Sequence, residues 1–234
     1  MIKNLISLPR TIIPACDVEL DKFEELIEVT ANIEKVGAYK IGFSLALQYG
    51  LPKIVNIVRK YTAKPIIYDH QKAGTDIPDT GNEFVKTVKE AGIDAIIIFP
   101  LAGPATQTAW IHSAQMINLP VIVGGYMTHE RFLSSEGGYI DDTAIEKIYS
   151  NAGSLGVNHF VVPGNKPNVI KETRSLLLKL KIEPVFYAPG FISQGGDISE
   201  AANVAGPHWH AIVGRAIYEA RDIAQAAESL IKHI

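Results

Sequence analysis

The chain has 234 residues, of which 47% are apolar and 20% charged, and its net charge is −3. This composition is typical of a folded globular domain, and it excludes the strongly basic surface of a nucleic-acid-binding protein. The single cysteine, Cys16, excludes an intramolecular disulfide. Pro9, Arg10 and Pro14 interrupt the apolar stretch that a signal peptide or membrane span would need. We therefore expect one cytoplasmic domain, residues 1–234, without membrane or nucleic-acid partners.

Short apolar runs recur along the chain, with amphipathic segments between them. Such runs are typical of parallel strands that are buried on both faces. The predicted strands are 11–17, 36–42, 65–69, 95–100, 120–125, 159–163, 184–188 and 211–214. The predicted helices with an apolar stripe are 21–34, 81–92, 142–155, 168–180 and 222–232. Eight strands that alternate with helices, without a Gly/Ser-rich linker, predict a single (β/α)8 TIM barrel of the α/β class.

The main alternative fold is a doubly wound open sheet. Its glycine-rich phosphate fingerprint follows the first strand, whereas the turn after the first strand here reads Cys-Asp-Val-Glu from Cys16. The barrel is therefore preferred. One connection, residues 126–141, is longer than the others and contains a Gly-Gly pair, so we expect a mobile loop after the fifth strand.

Charged residues stand where the first three predicted strands end. In a barrel, chemistry gathers at the carboxyl ends of the strands, and these ends carry Asp17, Lys40, and Asp69 followed by Lys72. An inward-facing Lys40 needs neighbouring carboxylates to offset its desolvation. Lys72 stands between Asp69 and Asp76, an array that can keep a lysine protonated beside a developing carbanion. A polar, solvated loop is the alternative interpretation.

Two glycine-containing segments follow the last two predicted strands. The first contains Gln194 and Gly195, and the second contains Gly214 and Arg215. Glycines let backbone N–H groups approach an anion, a guanidinium suits phosphate, and barrels frequently bind phosphate between these two loops. The segments predict a phosphate site, with simple tight turns as the alternative. The seven histidines show no metal-binding spacing, so no metal site is predicted.

These motifs, taken together, resemble the orotidine 5′-phosphate decarboxylase family of barrel enzymes. The resemblance covers nearly the whole chain in the same order. It includes Asp17, Lys40-Ile41-Gly42, the Asp-Lys-Asp loop with Ile77-Pro78-Asp79-Thr80, Met127-Thr128-His129, and both phosphate segments. Sister families share the phosphate segments, so Lys40 and the Asp-Ile-Pro-Asp-Thr run are the more discriminating part.

The resemblance implies decarboxylation of orotidine 5′-monophosphate to uridine 5′-monophosphate without a metal or organic cofactor. Lys72 would stabilise and protonate the carbanion at C6, while Asp69, Asp76 and Lys40 complete the catalytic charge network. Substrate contacts are expected from Asp17, Lys40, Ile77, Thr80, Thr128, Pro163, Gln194, Gly195, Gly214 and Arg215. A homodimer is also implied, with Asp76 and Thr80 reaching the neighbouring active site.

The Asp-Lys-Asp loop departs from the family pattern. The family reads Asp-x-Lys-x-x-Asp, and each gap is one residue longer here. A β-bulge between Asp69 and Gln71 can absorb the extra residue and keep Asp69 on the pocket side. Alternatively, His70 takes the place of the first aspartate. We favour Asp69.

Two other functions fit parts of the pattern. A metal-assisted 3-keto-6-phosphogulonate decarboxylase or hexulose-phosphate synthase resembles the chain in its barrel and phosphate loops. Those enzymes typically carry a glutamate where Lys40 stands, and they need one more carboxylate for Mg²⁺. The other candidate is a non-catalytic nucleotide-binding barrel, in which the longer loop has abolished turnover.

Overall fold

A barrel of eight parallel strands forms the centre of the protein. The computed structural model describes residues 5–70, 74–191 and 196–234. The strands are β1 (Arg10–Pro14), β2 (Tyr39–Gly42), β3 (Ile66–Asp69), β4 (Ala95–Ile98), β5 (Val121–Gly124), β6 (His159–Val161), β7 (Val185–Ala188) and β8 (Trp209–Val213). Their order in the sheet is β1-β8-β7-β6-β5-β4-β3-β2. The predicted (β/α)8 fold is confirmed.

The ring closes between β1 and the chain that leads into β2. Ile12 N donates to the carbonyl of Lys35 at 2.9 Å, and Gly37 N donates to the carbonyl of Ile12 at 3.0 Å. Farther along, Cys16 N donates to the carbonyl of Lys40 at 2.9 Å. This last bond places the chain just after β1 beside the end of β2, so that Asp17 and Lys40 come to the same edge of the barrel.

Helices surround the barrel. They are α1 (Leu20–Thr30), α2 (Phe43–Tyr49), α3 (Leu51–Tyr61), α4 (Thr80–Glu90), α5 (Pro104–Met116), α6 (Ala144–Ser154), α7 (Pro167–Lys179), α8 (Ile198–Ala205), α9 (Arg215–Tyr218) and α10 (Ile223–Ile231), with a 3₁₀ turn at Ser134–Glu136. Of these, α2, α3, α5, α8 and α9 were not among the predicted helices. Within the described part of the chain, none of the helices has the length and apolar character needed to cross a membrane.

The strands separate two apolar layers. One fills the barrel interior and includes Ile13, Ile67, Ile97, Ile122 and Ile212. The other lies between the strands and the helices and includes Phe23, Trp110, Tyr149, Phe160 and Phe186. Because side chains alternate along a strand, the position of a residue in its strand decides which layer it joins. This rule governs the candidate site as well.

Candidate active site

The carboxyl ends of the strands surround one cavity at the mouth of the barrel. Its lining combines a charged side near β1 to β3, an apolar floor, and the turns after β5, β7 and β8. The lining residues are Ala15, Asp17, Lys40, Asp69, Ile97, Phe99, Tyr126, Met127, Thr128, Val161, Pro189, Gly190, Phe191, Ile212, Gly214, Arg215 and Tyr218. Several residues predicted from the strand ends therefore meet in a single space.

Lys40 is the centre of the charged side. Its Nζ atom lies 3.1 Å from Oδ2 of Asp69 and 3.6 Å from Oδ2 of Asp17. Burial alone would lower the pKa of the Lys40 ammonium. Attraction to Asp69 and Asp17 outweighs burial and raises that pKa above its usual value. Lys40 is thus a fixed, buried positive charge at the cavity wall.

Gly42 makes room for the Asp17 carboxylate. A Cβ atom at Gly42 would lie 2.3 Å from Oδ1 of Asp17 and 3.9 Å from Nζ of Lys40. The first distance is far inside van der Waals contact, so any larger residue at this position displaces the carboxylate. The Lys40-Ile41-Gly42 segment therefore supplies both the cation and the space for its partner.

Asp69, rather than His70, faces the cavity. The pairing of β3 with β4 is regular as far as Asp69, which stands opposite Ile97. Regular alternation turns Asp69 inward with no bulge in the described part of β3. His70 points outward, where its Nδ1 hydrogen-bonds the Tyr68 hydroxyl and its ring packs edge-on against Phe84.

The expected bulge is not needed to direct Asp69 into the cavity, because β3 already does so. The remainder of the longer loop, including Gln71 and the predicted catalytic Lys72, lies outside the described residues.

Asp76, Ile77 and Thr80 meet at the start of α4, outside the cavity of their own chain. The Thr106 hydroxyl donates to the carbonyl of Asp76 at 2.8 Å. The carbonyl of Ile77 accepts from the Thr80 hydroxyl at 2.8 Å and from the Trp110 indole at 3.2 Å. The Ile77 side chain is 59% exposed. The structure brings these three predicted residues together at the start of α4, and none of them lines the cavity formed by the described residues.

The structure describes some of the residues that were predicted to bind phosphate. Gly214 and Arg215 line the cavity just after β8, and Gly190 lines it after β7. The ends of the loop after β7 meet, because Gly196 N donates to the carbonyl of Gly190 at 3.2 Å. Gln194 and Gly195, within that loop, lie outside the described residues.

The other two predicted contacts differ in position. Thr128 lines the cavity, and its carbonyl accepts a hydrogen bond from Asn165 Nδ2 at 3.1 Å. Pro163 is buried at the end of β6 and is not part of the lining formed by the described residues. Its carbonyl accepts from Lys166 N at 3.1 Å. Pro163 thus shapes the turn after β6.

Four aromatic residues of the lining, Phe99, Tyr126, Phe191 and Tyr218, were not predicted as site residues. Phe99 lies against Gly124 of β5, where an added Cβ would come within 2.3 Å of its ring. The signal for this contact was a glycine in an otherwise β-branched strand, which marks a close approach. Tyr126 and Phe191 carry no comparable signal in the sequence.

The two carboxylates of the cavity lining, Asp17 and Asp69, are arranged around an ammonium. Asp17 and Asp69 both pair with Lys40. Among the described residues, no group of three or more His, Cys, Asp or Glu side chains could hold a metal ion.

The fold and the cavity define a (β/α)8 barrel protein with its candidate site at the carboxyl ends of the strands. The model of the orotidine 5′-phosphate decarboxylase / HUMPS family matches residues 11–230. The chain belongs to this family.

Two archaeal relatives named orotidine 5′-phosphate decarboxylase show the extent of the likeness. The protein from Methanosarcina mazei is 32% identical over 222 residues, which cover 93% of this chain and 92% of the relative. The protein from Methanosarcina barkeri is 33% identical over 217 residues, covering 90% and 89%.

Solved structures agree with these relatives. Orotidine 5′-monophosphate decarboxylase from Methanocaldococcus jannaschii, complexed with the inhibitor BMP, superposes with a TM-score of 0.82 at 26% identity, covering 96% of this chain and 98% of the other. Orotidine 5′-phosphate decarboxylase from Pyrococcus horikoshii superposes with a TM-score of 0.79 at 25% identity, covering 96% and 99%.

Proposed function

We propose that this chain is a carbon–carbon lyase that converts orotidine 5′-monophosphate to uridine 5′-monophosphate without a metal or organic cofactor. Family membership and the names of the relatives support the reaction. The structural observation that carries the proposal is the ion-paired cluster of Asp17, Lys40 and Asp69 in the cavity. Lys72 follows this cluster three residues after Asp69.

The order of the strands in the ring indicates how the substrate would lie across the cavity. In a ring of eight strands, β4 lies opposite β8, and β5 lies opposite β1. A phosphate held by Arg215 and Gly214 after β8, with Gln194 and Gly195 nearby, directs the remainder of the ligand across the mouth. The ribose then passes Asp17 and Lys40, and the base reaches Thr128 after β5.

Electrostatics replaces a cofactor in this mechanism. Loss of carbon dioxide leaves the bonding electron pair on C6 of the pyrimidine, where the ring offers no resonance sink. Preorganised charges are then the main means of stabilisation. Lys72 stabilises that electron pair and donates a proton to C6. Asp69, fixed by Lys40, holds one side of the Lys72 ammonium, and Asp76 of the neighbouring subunit holds the other.

A homodimer completes the proposal. Asp76 and Thr80 are not part of the cavity lining among the described residues of their own chain, and they lie beside the exposed Ile77. Two more apolar side chains, Phe43 and Leu47 of α2, are 54% and 74% exposed. Since α2 follows β2 and Ile77 follows the adjacent β3, these side chains suit an apolar contact between copies. In the dimer, Asp76 and Thr80 reach the neighbouring cavity.

We place the enzyme in the cytoplasm, where the free thiol of Cys16 stays reduced.

An assay of uridine 5′-monophosphate formation tests the proposal. The purified chain is incubated with orotidine 5′-monophosphate before and after treatment with EDTA, and product is measured by absorbance. Equal turnover in both samples is expected. Turnover that EDTA abolishes would favour a metal-assisted relative. Nucleotide binding without turnover would favour a non-catalytic barrel.

A further inference from the structure

The carboxylate of Glu136, in the loop after β5, accepts four hydrogen bonds. Oε1 of Glu136 accepts from the Tyr126 hydroxyl at 2.7 Å and from Nζ of Lys166 at 3.2 Å. Oε2 accepts from the backbone N–H groups of Phe132 at 3.1 Å and Leu133 at 3.4 Å. The Lys166 ammonium also lies 4.2 Å from the centre of the Tyr126 ring, within the range of a cation–π contact.

These contacts tie two strand ends together through one side chain. Tyr126 is two residues beyond the end of β5, and Lys166 stands at the start of α7, in the turn after β6. A second link runs parallel to the first, since Asn165 donates to the carbonyl of Thr128. The segment 126–128 is therefore held at both ends, and all three of its residues line the cavity.

We propose that Glu136 and Lys166 are positioning residues that hold the segment 126–128 against the base of the substrate and so set base recognition. The inference rests on the proposed function, because that function places the phosphate at Arg215 and the base across the mouth at Thr128. Neither residue lines the cavity formed by the described residues, so both act through Tyr126 and Thr128.

The Glu136 carboxylate stays charged, so its hydrogen bonds to Tyr126 and Lys166 do not depend on pH in the working range. The hydrogen bond from Tyr126, the hydrogen bond from Lys166 and the two backbone N–H groups lower the pKa of Glu136 to about 2. The carboxylate therefore stays ionised at any pH at which the enzyme would work. A glutamine at this position keeps the shape of the side chain but has one acceptor oxygen, so it leaves donors unmatched.

Asp142 provides a matched control within the same loop. Its carboxylate also accepts several hydrogen bonds, from the Ser134 and Ser135 hydroxyls and from Ser135 N at 3.0 Å. Asp142 is not part of the cavity lining among the described residues, and none of these bonds reaches the turn after β6. Asp142→Asn thus changes hydrogen bonding in the same loop and alters none of the groups that bond to Glu136.

The test compares two ligands, uridine 5′-monophosphate and ribose 5-phosphate, by calorimetric titration. Both carry the phosphate and the ribose, so the ratio of their dissociation constants isolates the base. Glu136→Gln and Lys166→Met are expected to weaken uridine 5′-monophosphate binding about tenfold, with ribose 5-phosphate binding unchanged. Asp142→Asn is expected to leave the ratio at the wild-type value. Thermal unfolding confirms that each variant is folded. Glu136→Gln and Lys166→Met change the two partners of the same ion pair.

The outcomes separate this inference from the proposed function. If the wild-type chain binds uridine 5′-monophosphate no better than ribose 5-phosphate, the proposed nucleotide site is wrong and this inference with it. If the wild-type preference survives in Glu136→Gln and in Lys166→Met, the positioning role alone is overturned. An equal loss for both ligands, or the same change in Asp142→Asn, would also overturn it, because the tie would then support the loop in general.

Discussion

The carboxylate of Asp69 lies 3.1 Å from the ammonium of Lys40, and both side chains are more than nine-tenths buried. This contact joins the end of β3 to the end of β2 inside the cavity. Asp69 is also the residue at the end of β3 that faces the cavity, since His70 packs outward against Tyr68 and Phe84. A buried ion pair of this kind is sensitive to loss of one partner, because the other charge then stays in a site with little water.

Asp69→Asn should cost far more activity than His70→Asn. Among the described residues, the first substitution leaves Asp17 as the carboxylate paired with the Lys40 ammonium. In the proposed mechanism it also removes a charge that holds Lys72, so we expect kcat/KM to fall by about a hundredfold or more, ~2.7 kcal/mol. The second removes an edge-on packing contact outside the cavity and should change kcat/KM by less than about threefold. Steady-state kinetics on both variants decides between them. A larger loss in His70→Asn would assign the site to His70.

Lys72→Ala should abolish turnover while phosphate ligands still bind. Lys72 is the lysine that the sequence places between Asp69 and Asp76, and its loss removes both charge stabilisation and the proton donor. We expect turnover to fall by several orders of magnitude, with binding of uridine 5′-monophosphate retained. Single-turnover kinetics and a binding titration measure the two effects. Turnover above about a tenth of wild type would place the chemistry elsewhere, since a tenfold step is only ~1.4 kcal/mol.

Gly42→Ala should act through Asp17. The added Cβ would lie 2.3 Å from Oδ1 of Asp17, and the half-exposed carboxylate can move away from Lys40 into solvent. We expect KM to rise about tenfold, as for loss of one charged hydrogen bond, with a small change in melting temperature. A double-mutant cycle checks the mechanism: Gly42→Ala should add little when Asp17→Ala is already present. Additive effects would show that the glycine acts on something other than Asp17.

The sequence predicted the positions of the strands better than those of the helices. Buried parallel strands are marked by continuous apolar runs, and these predictions were displaced by only a few residues. The helix α5 was missed because its buried face includes Gln107, which donates to the carbonyl of Ile148 and accepts from Asn151. A helix that buries polar side chains lacks the apolar stripe used to recognise it. In α2 the pattern is broken by Phe43 and Leu47, which face outward.

Site residues could be predicted where charged side chains lie at strand ends. Contacts that depend on the folding of a loop could not be predicted. Asp17, Lys40 and Asp69 could be placed together because parallel strands bring their carboxyl ends to one edge. The choice between Asp69 and His70 required the register of β3 against β4. The contact of Glu136 with Tyr126 and Lys166 could not be predicted, because these residues are 10 and 30 positions from Glu136 and meet through an irregular loop.

Arg215→Ala should weaken phosphate binding selectively. Arg215 is an exposed side chain at the cavity edge after β8, and its loss should raise KM and lower kcat/KM for orotidine 5′-monophosphate. Phosphate-free orotidine should react equally poorly with the wild-type and variant proteins. Arg221→Ala, another exposed arginine on the chain that follows β8, serves as the control and should leave both substrates unaffected. A full penalty on orotidine would show that Arg215 has a structural role.

Two buried histidines in the barrel interior make stability depend on pH. Nδ1 of His210 lies 2.8 Å from the Thr11 hydroxyl, and Nδ1 of His159 lies 3.1 Å from the Tyr187 hydroxyl. Burial lowers the pKa of His159 to about 4, and burial together with the neighbouring histidines lowers that of His210 to about 3. In the unfolded chain both titrate near the usual histidine value of about 6.5.

The free energy of unfolding should therefore fall as the pH is lowered from about 6.5 towards 4. In this window the unfolded state takes up protons that the folded state refuses, so acid favours unfolding. Each unit of difference between the folded and unfolded pKa corresponds to about 1.4 kcal/mol of unfolding free energy. The expected loss of stability is therefore large for a single domain. Urea unfolding at a series of pH values measures it. His210→Asn should flatten the slope between pH 6.5 and 4, whereas replacing the exposed His112 with Asn should leave it unchanged. A slope that His210→Asn does not alter would show that other groups control stability in this range.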